Sequence, residues 1–71
     1  MRNLETMPAS ITEGFAMNAI FDATRSNYDR SEWVKGDLKV SFKLLKDGEY
    51  EAVLRRNGTV AAIAIIDEFD C

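Results

Sequence analysis

The side chains able to do chemistry are few, and their spacing argues against catalysis. The chain of 71 residues contains no histidine, so neither a Ser-His-Asp nor a Cys-His arrangement can form. Its single cysteine is Cys71. One thiol closes no disulfide within a chain and, without histidine, completes no zinc set. Cys71 reads as an incidental thiol of a reducing compartment. Glu49 and Glu51 alternate along one segment, so as a strand they share a sheet face. Both read as surface charges with cross-strand neighbours, not as an acid/base pair. Asp67-Glu68-Phe69-Asp70 offers oxygens to a hard cation but not the about six ligands of a shaped loop, so a solvated tail is the reading. The glycines Gly14, Gly36, Gly48 and Gly58 are isolated and make no phosphate-cradling loop. No cofactor, no metal and no enzymatic activity are expected.

One basic group has a chemistry to weigh. Lys39, Lys43, Arg55 and Arg56 fall on two neighbouring strands, and a sheet can enter a nucleic-acid groove. A sheet-based nucleic-acid-binding regulator is therefore the alternative reading. Against it stand twelve acidic to nine basic residues, a net charge of −3, and the dilution of the patch by Glu49 and Glu51. No aromatic side chain lies between the bases on their sheet face for stacking.

These residues need elements to position them. The length makes a single domain over 1–71, near the small end of what folds unaided. It divides into a leader (1–9), a helix (10–25), a connection (26–37), a β-meander (38–67) and a tail (68–71). Pro8 disfavours helix at Met7, and Leu4 can be tucked in or belong to a short edge strand. Ser10-Ile11-Thr12-Glu13 fits a capping box. From there Ile11, Phe15, Ala16, Ala19, Ile20 and Ala23 form one apolar stripe at helical spacing. Met17 and Phe21 lie off the stripe, four residues apart, to be covered by Tyr28 or Trp33 of the connection or by another chain. Trp33, the only tryptophan, reads as a lid on the core. A single helical turn fits 29–34, and Gly36-Asp37 marks a turn before the first meander strand.

The meander carries the clearest pattern. Leu38 to Leu44 alternates apolar and polar, the period of a half-buried strand. Residues 49–55 and 59–66 are the second and third strands. Asn57-Gly58 is the signature of a two-residue type I′ turn, which pairs Arg56 with Thr59. Continued regularly, it sets Leu54 opposite Ala61, Ala52 opposite Ile63 and Tyr50 opposite Ile65. A two-residue Asp47-Gly48 turn would flip the first strand's apolar residues to the wrong face. A three-residue loop, Lys46-Asp47-Gly48, with Gly48 at positive φ, keeps Val40/Leu54, Phe42/Ala52 and Leu44/Tyr50 in common rows and sets Lys43 against Glu51.

The expected fold is α+β, a two-layer αβββ arrangement with one N-terminal helix on a three-stranded antiparallel meander in the order 1-2-3. In it the third strand is an edge, apolar on both faces. The leader, the connection or a second chain must cover it. The expected function is a non-catalytic protein-binding module, a small acidic regulator or inhibitor, with viral proteins that phages direct against bacterial host or defence complexes among the type. Its partner is another protein, a second copy in a homodimer, or both. The expected partner-binding residues are Val53, Val60, Ala62, Ala64 and Ile66 on the outer face, with Met17 and Phe21 beside them. No stretch approaches the about 20 apolar residues of a membrane span, and the N-terminus lacks the apolar core of a secretory signal. The cytoplasm is the expected location.

Overall fold

A computed structural model describes residues 2–6, 11–27 and 29–67. In chain order the elements are β1 (Arg2–Thr6), α1 (Glu13–Ser26), β2 (Trp33–Lys35), β3 (Leu38–Lys46), β4 (Glu49–Arg56) and β5 (Thr59–Asp67). The strands form one antiparallel five-stranded sheet in the order β1-β5-β4-β3-β2. The class is α+β with one helix, but the three-stranded meander is corrected to five strands. β3, β4 and β5 are the expected meander. The leader adds β1 outside β5, and the connection adds β2 outside β3. The meander's last strand is therefore interior, with β4 on one side and β1 pairing with Ala62, Ile63 and Ile65 on the other, so β1 covers the central part of the edge expected to be a hazard. No helical turn forms over 29–34; Trp33, Val34 and Lys35 pair with Val40, Lys39 and Leu38.

The first meander hairpin has the expected rows, with Val40, Phe42 and Leu44 opposite Leu54, Ala52 and Tyr50, and Lys43 opposite Glu51. Gly48 sits at φ 73°. The extra residue is placed differently: Lys46 pairs with Glu49, so the turn is Asp47-Gly48 and the irregularity falls at Leu45, between Leu44 and Lys46. One bulged residue performs the same rotation of faces wherever it is inserted.

The second hairpin departs more. Asn57 and Gly58 take φ 52° and 81°, as a type I′ turn requires, and Arg56 pairs with Thr59. A bulge follows at once. Arg55 pairs with Val60 but Leu54 with Ala62, Ala52 with Ala64 and Tyr50 with Ile66. Ala61 is the extra residue, and beyond it every side chain of β5 is on the face opposite to that expected. Ala62, Ala64 and Ile66 are fully buried. Ile63 and Ile65 take the outer face, opposite Val53 and Glu51. The slip has a packing reason. The core joins Ala16, Ala19 and Ala23 of α1 to Ala52, Ala62 and Ala64 of the sheet, and small side chains on both layers let helix and sheet approach closely. Two isoleucines in those sites would overfill the space, and overpacking costs about 1–3 kcal/mol per site.

The cap of α1 falls two residues after the expected Ser10. Thr12 is the N-cap, and its hydroxyl accepts from the backbone N–H of Phe15 at 3.2 Å; Ser10 lies outside the described residues. The stripe buries Ala16, Ala19, Ile20 and Ala23, whereas Phe15 remains 46 % exposed. Buried Thr24 donates from its hydroxyl to the Ile20 carbonyl at 2.7 Å, so its polar atom has a partner.

The loop after α1 closes one end of the core through Arg30. Its guanidinium donates to the carbonyls of Thr24 and Asn27 at 2.7 and 2.9 Å and lies over the rings of Phe42 and Tyr50 at 5.9 and 5.7 Å. Asn27 in turn donates to the Ser31 carbonyl, and Asp29 accepts from the Ser31 backbone N–H at 3.1 Å. That backbone hydrogen bond is the main reason the Asp29 carboxyl lies below its ordinary value. Tyr28 lies outside the described residues.

A helix is about 10 Å across, while five strands at about 4.8 Å spacing span about 19 Å between the outer axes. One helix therefore covers half of this sheet. α1 lies against β1 and β4, Val40 of β3 is fully buried in the same core, and Trp33 of β2 and Leu38 of β3 pack only partly on it.

Candidate functional site

The outer face of the sheet carries no helix among the described residues. Its rows follow from the register. Glu5, Ile63, Val53 and Ser41 form one; Ile65, Glu51 and Lys43 a second; Val60, Arg55, Lys39 and Val34 a third. Val53, Val60, Ile63 and Ile65 thus make a contiguous apolar strip at the centre, each half-buried by its neighbours. Charged side chains surround it.

Of the residues expected to bind a partner, Val53 and Val60 are on this strip. Ala62, Ala64 and Ile66 are in the core at 0 % exposure, removed from the outer face by the Ala61 bulge. Met17 and Phe21 are both half-buried on α1, away from the strip. The sequence reading missed Ile63 and Ile65. No alternation marks them, because residues 60–66 are apolar at every position.

The basic quartet is divided by the sheet. Lys39, Lys43 and Arg55 stand on the outer face, where Lys39 meets Glu32 at 3.1 Å and Lys43 faces Glu51. Arg56 is opposite Leu38, on the helix side. There it reaches Asp37 at 3.4 Å and lies over the Phe15 ring at 5.8 Å. The four do not make one phosphate-tracking patch. Glu49 is within 4.0 Å of Lys46 and opposite Asp67. Among the described residues no group of three or more His, Cys, Asp or Glu side chains is placed to hold a metal ion. Glu68, Phe69, Asp70 and Cys71 lie outside the described residues. No described helix is long and apolar enough to cross a membrane.

A second feature lies on the inner side, where α1 stops short of the β2–β3 hairpin. An open groove of ≈ 370 Å³ runs between Phe15, Ala19 and Asp22 of the helix and Trp33, Lys35 and Leu38 of the hairpin. Trp33 and Leu38 pack partly on the core, so Trp33 is a lid as expected and also a groove wall. The helical residues 15, 18, 19 and 22 that line it recur at spacings of three and four, one helix face. The hairpin turn is Gly36-Asp37, with Gly36 at φ 62°, and the Asp37 carbonyl accepts from the Asn57 backbone N–H at 2.9 Å, tying the two turns together.

Comparison with protein-family models, with curated proteins and with solved structures finds no match for this chain.

Proposed function

We propose that the protein is a non-catalytic protein-binding module, a small regulator or inhibitor that acts by occupying a partner's surface. The observation that carries this reading is the strip Val53, Val60, Ile63 and Ile65, contiguous in register across β4 and β5 on a sheet face that no described helix covers. A central apolar strip with a charged surround is the anatomy of a protein interface, and contiguous apolar surface on a small protein marks such a site. Glu5, Glu51, Lys43 and Arg55 around it supply the polar rim.

The test uses the full chain as bait and sets Ile63→Lys and Ile65→Lys beside Lys43→Ala. A partner retained by the wild type and by Lys43→Ala, and lost by both isoleucine variants while their circular dichroism is unchanged, is the expected result. Retention by all four proteins would defeat the reading. Sedimentation equilibrium of the bait alone reports whether the partner is a second copy.

A further inference from the structure

The groove beside β2 has an occupant written into its geometry. β2 is the last strand on its side of the sheet, so among the described residues its outer edge has no neighbour. The two-residue Gly36-Asp37 turn makes Lys35 and Leu38 the hydrogen-bonded pair nearest the turn, and alternation then points the N–H and C=O of Val34 off the sheet. Trp33 and Lys35, two residues apart, both stand on the groove side. An added strand has its side chains above them at the same two-residue interval.

Charge selects what that strand carries. Beside the groove each acid is matched: Asp22 with Arg25 at 3.7 Å and Asp37 with Arg56 at 3.4 Å. Lys35 is exposed and has no ion pair among the described residues. The unmatched charge at the rim is positive, so its complement is a carboxylate.

We propose that the groove between α1 and β2 binds an extended segment of a partner protein. The segment adds to the β2 edge through Val34. It places an apolar side chain among Phe15, Ala19, Trp33 and Leu38, and sets a carboxylate, two residues away in the segment, against Lys35. This is strand addition with side-chain readout. It is a site separate from the outer strip and stands whether or not that strip binds.

The probe is the acetylated, amidated hexapeptide Thr-Glu-Val-Phe-Val-Thr, titrated into the full chain. Trp33 fluorescence and amide shifts report binding. The expected result is saturable binding, with shifts at Trp33, Val34, Lys35 and Ala19. Moving the acid next to the aromatic residue (Thr-Val-Glu-Phe-Val-Thr) or replacing it with lysine weakens binding at least tenfold. Lys35→Glu reverses the preference between the acidic and lysine peptides. Val34→Pro, which removes a donor that β3 does not use, weakens binding at least tenfold, while Val34→Thr does not. No saturable binding, shifts confined to the outer strip, or equal binding of the two spacings would overturn the proposal. So would a Val34→Pro protein that is folded by its β3–β5 amide shifts and binds like the wild type.

Discussion

Arg30 holds the end of α1 against the sheet. Its cation meets the carbonyls of Thr24 and Asn27, where the helix dipole favours positive charge, and covers Phe42 and Tyr50. It does so at φ 56°, a conformation that costs a side-chain-bearing residue about 1–2 kcal/mol. Arg30→Ala is expected to destabilise the protein by about 1–3 kcal/mol in urea unfolding, from the lost cation–π and charge-assisted contacts. Arg30→Gly should lose less, because glycine adopts positive φ without that cost. Equal stability of the alanine variant and the wild type would show that the contacts carry nothing. The neighbouring Asp29 gives a pH signature. Its carboxyl is held below the ordinary value of 3.8 by the Ser31 N–H. A depressed carboxylate contributes stability that is complete above the ordinary value and is lost as pH falls through the lower folded value. The acid limb of stability against pH should therefore flatten below 3.8 in Asp29→Asn, and a carboxyl NMR titration should place the Asp29 midpoint below 3.8.

β5 is the element on which the inner and outer faces turn. Its register predicts an order of costs that the regular hairpin would reverse. Ile66 is fully buried, so Ile66→Ala should cost about 2–5 kcal/mol. Ile65, on the outer face, should cost about 1 kcal/mol or less on the same change. Equilibrium unfolding of the two variants decides between the registers. The two meander turns were legible in the sequence because their chemistry is local: Asn57-Gly58 demands positive φ, and the strict alternation of residues 38–44 exposes any one-residue error in the first hairpin. The Ala61 bulge was not legible. In Val60-Ala61-Ala62-Ile63-Ala64-Ile65-Ile66 either parity gives an apolar inner face, so one inserted residue leaves no trace in the pattern. What decided it was the fit of alanines beneath an alanine-rich helix, a tertiary preference that no window of β5 contains. β1 was legible only as one of the alternatives for the leader around Leu4, and β2 was not legible at all. At five and three residues they are too short for a period to emerge, and pairing with β5 and β3 makes them strands.

At the scale of the molecule, the mismatch between one helix and five strands creates both candidate surfaces. Among the described residues the sheet's outer side has no second layer, and its inner side is covered over β4 and Val40 of β3 but only partly toward β2. The strip was half legible: Val53 and Val60 could be placed from the sequence, but Ile63 and Ile65 depended on the bulge. The groove was not, because it requires β2, and a polar connection gives no sign that it will become an edge. Both sheet edges are short strands, which limits edge-to-edge association. Deleting residues 1–6 should remove that protection. It would leave the nine-residue β5 as an apolar edge, with aggregation rising in light scattering at micromolar concentration. A monodisperse deletion variant would mean that β1 shields nothing.

The pairing of β1 with β5 also sets an order in time. Glu5 lies opposite Ile63, so this ladder joins residues at nearly the greatest separation the chain offers, while each meander hairpin closes over a few residues. Contacts between distant residues pay their loop entropy before they gain anything. On a ribosome β1 emerges first and waits, unpaired, for β5 to be synthesised. In the finished protein it should be the first strand to exchange its amide protons, and the newborn chain passes through a stage in which β4 and β5 are joined but the outer edge of β5 is bare. A chaperone that recognises extended apolar segments has its binding window there, and the window closes when β1 arrives.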